Sequence, residues 1–183
     1  MTVWKLESGG TNEFAMLVSP ALDDLDSDQL ITNGKPKHWA IAPQVEPFFD
    51  KKKKKQKPVA DLSHLAPGSI VLNAKAYAAL SELMLQFGEL LALDGKGETF
   101  YFYNVTNLID CIDVEKSEKR GSAIIKEAFL PESVPLSAQI FKDPRRARSD
   151  IYVNDAAKAL LDGIFTAASL TGARFELAGA SRY

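Results

Sequence analysis

The chain is poor in the side chains from which most covalent and metal chemistry is built. Its 183 residues include one cysteine, Cys111, and two histidines, His38 and His64. A lone cysteine excludes an intrachain disulfide and fits a reducing compartment, so a cytoplasmic location is expected. Neither histidine stands in a His-x-x-x-His, Glu-x-x-His or Cys-x-x-Cys pattern, so no zinc site is expected. There is no Gly-x-Ser-x-Gly elbow, no phosphate loop ending in Gly-Lys-Ser/Thr and no dinucleotide fingerprint, so no cofactor is expected either. No run approaches the ~20 apolar residues that cross a bilayer. The opening "MTVWKLESGG" lacks the apolar core of a secretion signal. An excess of one charge is also missing. The net charge is −2, so no global field draws nucleic acid to the protein.

What is present is an ordinary globular composition, 46% hydrophobic and 25% charged. A chain of this length buries roughly 70% of its unfolded surface and needs no disulfide or structural metal. The charges cluster locally. "DDLDSD" (23–28) is acidic and "KKKKKQK" (51–57) is basic. Neither run can be desolvated, so both read as solvated loops. The lysine run has no arginines or interleaved aromatics for base contacts, which leaves phosphate contact as its sharper alternative.

The expected fold class is α+β, a mostly antiparallel sheet with two main helices and a loop-rich N-terminal third. Residues 1–60 read as a lobe with few strands, "EFAMLV" (13–18) being the first and "HWAIAP" (38–43) a possible second. Residues 61–183 read as the α+β core. "DLSHL" suggests a helical turn and "GSIVLN" a short strand. Asn73 is placed to cap a helix whose apolar face carries Tyr77, Leu80, Leu83, Met84 and Phe87. Gly88 stands where a left-handed cap is wanted. Asp94-Gly95-Lys96-Gly97 between two strand-like runs is a hairpin signal. "SAIIKEAFL" (122–130) and "AQIFK" (138–142) read as strands, and "DPRRARSD" (143–150) as a loop. "IYV" then leads to Asn154, which caps a helix over 155–169 with Ala157, Leu160, Leu161, Ile164 and Phe165 inward. "ARFELA" is a last strand. No internal repeat is found.

Three groups of residues are candidates for function. Asp110, Asp113, Glu115 and Glu118 follow an aromatic strand within "YFYNVTNLIDCIDVEKSE" (101–118). Paired carboxylates can serve as acid and base or hold a hard metal, so Asp110, Asp113 and Glu115 define a metal-assisted hydrolase as one alternative. A solvent-facing charged surface is the simpler reading, because Lys116 sits among the acids. Arg145 and Arg146 in "PRRAR" could clamp phosphates or partner carboxylates. With the lysine run they define a second alternative, a nucleic-acid-binding module. The simpler expectation is an exposed turn with unpaired arginines. Trp39, Phe48 and Phe49 lie in the irregular region, and such aromatics dominate interface hot spots.

From about Ile70 to Glu118, "IVLNAKAYAALSELMLQFGELLAL" followed by "FYFYNVTNLIDCIDVEKSE" resembles bacterial immunity proteins that accompany polymorphic, contact-delivered toxins, secretion-system effectors among them. The shared pattern is a helix ending in Gly-Glu-Leu-Leu-x-Leu, then an aromatic strand leading to Asn-Val-Thr-x-x-x-Asp-x-x-Asp and Glu-Lys-Ser-Glu. "IYVNDAAKALL…TGARFEL" is compatible with the family's ending, and the first sixty residues carry no resemblance. The resemblance implies an antitoxin role, binding and neutralising a cognate toxin without catalysis. It carries over no catalytic, cofactor or metal residue. The expected contact set is therefore Trp39, Phe48, Phe49, Asp110, Asp113, Glu115, Glu118, Arg145 and Arg146, and the expected partner is a toxin, with neither membrane nor nucleic acid.

Overall fold

The computed structural model describes residues 2–9, 12–20, 29–50 and 56–178. The acidic run at 23–28 and the lysines at 51–55 lie outside the described residues. In chain order the elements are β1 (Val3–Ser8), β2 (Leu17–Val18), β3 (Glu46–Pro47), β4 (Leu62–Ser63), β5 (Ile70–Leu72), α1 (Ala74–Met84), β6 (Gly88–Asp94) and β7 (Thr99–Val105). They continue as β8 (Glu118–Arg120), β9 (Ala123–Lys126), β10 (Ile140–Phe141), β11 (Tyr152–Asn154), α2 (Asp155–Ala167) and β12 (Ala173–Leu177). Two four-stranded antiparallel sheets carry the fold, in the orders β4-β5-β7-β6 and β10-β11-β1-β12. The fold is α+β, as the strand and helix patterns imply. No helix among the described residues is long and apolar enough to cross a membrane.

The two sheets are built alike, which corrects the reading of no internal repeat. Ile70-Val71-Leu72-Asn73 leads into α1, and Ile151-Tyr152-Val153-Asn154 leads into α2. Each asparagine starts its helix by accepting a backbone N–H three residues on, Asn73 from Ala76 (2.9 Å) and Asn154 from Ala157 (3.0 Å). Ala76 and Leu80 of α1 are fully buried, and so are their counterparts Ala157 and Leu161 of α2. In each unit the strands before and after the helix flank a third strand, giving β5-β7-β6 and β11-β1-β12. The third strand of the second unit is β1, from the far end of the chain.

One core joins the units. Ile70, Leu72, Tyr103 and Val105 of the first sheet meet Leu6, Ile140, Ile151 and Val153 of the second around both helices. Each sheet is also covered on its other face. Leu17, Leu30, Val45 and Leu65 pack there against Val71, Phe100 and Phe102, while Cys111 and Val134 pack against Val3, Phe141 and Tyr152. Burial on both faces explains why β5 and β11 read as continuous apolar runs rather than alternating ones.

Several local expectations are corrected. "DLSHL" supplies β4 rather than a helical turn, and 38–43 holds no strand. Of 13–18 only Leu17–Val18 is a strand, and β1 precedes it. Gly88 is not a left-handed cap but the first residue of β6. A Cβ there would overlap the Asn104 carbonyl, so close backbone approach demands glycine. Leu160 is 50% exposed and lies off the buried face of α2.

Candidate partner-binding surface

After β7 the chain is strapped to the edge of β10. Ile109 N–H donates to Lys142 O and Lys142 N–H to Asn107 O, both at 2.9 Å. The strap is locked by Asp143, a fully buried carboxylate. Its Oδ2 accepts the N–H groups of Cys111 and Ile112, both at 2.9 Å, and its Oδ1 accepts that of Arg145 at 2.8 Å. Cys111 is buried behind this strap. Desolvation, then the nearby Asp143 and Asp110 carboxylates, push its thiol up to about 12, leaving it inert.

The four acids of the opening segment do not converge. Asp110 is exposed and forms a two-point ion pair with Arg145. Asp113 accepts the N–H groups of Glu115 and Lys116 at 3.1 Å and pairs with Lys116 Nζ at 3.2 Å. These bonds, the Lys116 N–H foremost, hold its carboxyl below the usual range. Glu115 points to solvent, and Glu118 reaches Lys126 across the β8–β9 pair at 3.4 Å. Each acid thus serves its own turn or pair. Among the described residues no group of three His, Cys, Asp or Glu side chains could hold a metal ion. Asn104, near the end of β7, donates to Lys35 O (2.8 Å) and Glu89 Oε2 (2.9 Å).

The loop 143–150 is not an exposed turn with unpaired arginines. Arg145 bridges Asp110 and Asp143, and Arg146 Nε meets Asp150 at 2.8 Å and Glu127 at 3.4 Å. Lys5, itself buried, reaches Glu127 at 2.8 Å and Asp150 at 3.5 Å, and Tyr152 OH donates to Glu127 at 3.3 Å. Lys142 is wholly enclosed. Its Nζ donates to Gly68 O and Ala147 O at 2.8 Å and to Thr32 Oγ1 at 3.1 Å. Burial pushes its ammonium down to about 7, against the opposing pull of Asp150. Beside this network lies a cleft of about 320 Å³, lined by Lys5, Ser8, His64, Gly68, Arg146 and Asp150. Nothing in the sequence signals it, because its lining comes from three distant segments.

The N-terminal aromatics divide into an anchor and exposed groups. Residues 35–45 are clamped along β6. Val45 N–H donates to Asp94 O (2.8 Å), Asp94 N–H to Pro43 O (2.9 Å) and Lys37 N–H to Glu89 Oε2 (3.0 Å). Trp39 belongs to the clamp. Its indole N–H donates to Ala92 O at 3.0 Å and its ring meets Phe102 edge-on at 5.9 Å. From this anchored segment and its continuation, Ile41 stands 84% exposed, Phe48 50% and Phe49 45%. Phe48 N–H is fixed to Met16 O at 2.8 Å, so the backbone beneath it is ordered by the β2–β3 pair. Ile41 was not singled out in the sequence. Its proximity to Trp39 in a strand-like run masked the fact that one side chain points in and the other out.

The chain matches no family model and no curated protein.

Proposed function

We propose that this chain is an immunity protein, which binds a cognate bacterial toxin in the cytoplasm and blocks it by occupying its surface, without catalysing a reaction. The observation that carries this reading is the set Ile41, Phe48 and Phe49, three large apolar side chains held in solvent on a backbone clamped to β6 and β2. Preformed apolar anchors lose little conformational entropy on binding, which is what tight association requires. The resemblance of residues 70–118 to toxin-associated immunity proteins supports the same reading. Of its four clustered acids Asp113 is tied into its own turn, while Asp110, Glu115 and Glu118 are exposed, Asp110 and Glu118 within surface ion pairs, and would suit a basic rim around the toxin's contact.

Co-expression with the toxin encoded beside its gene tests the proposal. The wild-type chain should restore growth and co-purify with the toxin. The double variant Phe48→Asp, Phe49→Asp should lose protection, with Kd raised about 100-fold or more if both rings are hot spots. Its melting temperature should barely move, since both rings already face water. A wild-type chain that neither rescues growth nor retains the toxin refutes the reading.

A further inference from the structure

Three of the four edges of the two four-stranded sheets are closed by the chain itself. Residues 37–45 cover β6, the 107–109 strap covers β10, and Leu62 N–H of β4 donates to Thr171 O at 3.0 Å. The edge of the second unit equivalent to β6 is β12, and no described segment covers it. Leu6 N–H turns toward the O of Ile151, the residue before β11 (2.9 Å), so Lys5 and Glu7 turn their main-chain groups to Glu176 and Arg174 of β12. Ala173, Phe175 and Leu177 therefore aim their N–H and C=O groups outward, and no hydrogen bond among the described residues uses them. An uncovered edge of this kind is a template for another strand.

Side chains along this edge select the strand. Laid antiparallel about a two-fold axis at Phe175, a second copy sets Ala173 against the partner's Leu177 and Phe175 against the partner's Phe175. The facing residues then exchange N–H···O bonds in pairs. On the other face, Arg174 falls opposite the partner's Glu176, and Glu176 opposite the partner's Arg174. Sliding by two residues either way puts arginine against arginine or glutamate against glutamate, which is repulsive. A slip by one residue sets outward main-chain groups against inward ones. The matched register extends an existing ion pair, since Arg174 already bonds Glu7 of β1 at 2.5 Å. It also covers Leu177, 47% exposed, beside the Phe165–Phe175 stack at 5.8 Å.

We propose that the outer edge of β12 is a self-association surface that pairs antiparallel with β12 of a second copy, joining their sheets into one. Sedimentation equilibrium of the full chain, from micromolar to submillimolar concentration, should show the mass rise from 20.1 kDa toward twice that value. Arg174→Glu alone and Glu176→Arg alone each make the facing charges alike, and each should weaken the dimer about tenfold or more. Mixed together, the two variants face each other with opposite charges, and association should return. Circular dichroism checks that both are folded. Hydrogen exchange on the wild type gives a variant-free readout, because protection of the Ala173, Phe175 and Leu177 amides should rise with protein concentration. A mass fixed at the monomer value, dimerisation indifferent to both single variants, folded variants that fail to associate on mixing, or concentration-independent amides would each overturn the proposal.

Discussion

Lys142 makes stability depend on pH in a calculable way. Its amino group is enclosed by Thr32, Gly68 and Ala147 with Asp150 nearby, and its folded pKa is pushed down to about 7 from 10.5. Between these values the unfolded chain holds the proton and the folded chain does not, so the unfolded state binds more protons and stability rises with pH. The burden is fully present below pH 7 and lifts progressively from there toward pH 10.5. Linkage across pH 6 to 9 gives a gain of about 2 to 3 kcal/mol from this one group. Lys142→Met removes the titration. It also leaves Gly68 O and Ala147 O only the single hydroxyl of Thr32 as a donor (3.1 and 3.4 Å), which lowers stability by a pH-independent amount. The measurement is urea unfolding of both proteins at pH 6 and pH 9. His64, held low by burial, and the remaining groups titrate in both proteins and cancel in the difference. The wild-type midpoint should climb relative to the variant by about 1 M urea for a domain of this size. Parallel pH profiles would refute the argument and mean that Lys142 keeps its proton in the folded protein.

Asp143→Ala should lower stability by about 3 kcal/mol or more in urea unfolding, because the buried N–H groups of Cys111 and Ile112 lose their acceptor. Asp110→Ala, which breaks only an exposed pair, should change it by less than about 1 kcal/mol. Asn154→Ala removes the α2 cap together with bonds to Pro135 O, Ser137 O and Gln139 N–H, and should cost about 2 to 4 kcal/mol by the same assay. The Cys111 thiol should react with a chromogenic disulfide reagent only through opening of the fold, so its rate should track urea and leave thiol-reactive probes silent under native conditions.

Local chemistry was legible in the sequence wherever its partners lie close along the chain. Asn73 and Asn154 announce their helices, and Asp94-Gly95-Lys96-Gly97 announces the β6–β7 turn, because capping and turning are settled within a few residues. Lys96 and Gly97 do take positive φ there. What stayed hidden depends on distant partners. β1 reads as half-polar because Lys5 and Glu7 alternate with apolar residues, and the burial of Lys5 makes sense only beside Glu127 and Asp150. "KDPRRARSD" looks like a solvated charge run until each of Lys142, Asp143, Arg145, Arg146 and Asp150 is seen to have an acceptor or donor from elsewhere. Among the proposed contact residues, Phe48 and Phe49 are exposed as that role needs, while Trp39 serves as a clamp.

The placement of β1 orders events during synthesis. Among the described strands a ribosome makes this one first, yet its two neighbours, β11 and β12, are the last of them to emerge. The first unit has all its strands between β4 and β7 and can close early, whereas the second must wait with its middle strand already made and its flanks unborn. Its completion thus closes a loop between strands about 150 residues apart, and is slowed by the entropy of that closure. Moving β1 to follow β12, by joining the ends and opening a new start before β2, would make both halves sequential and should speed folding without altering a single contact of the core.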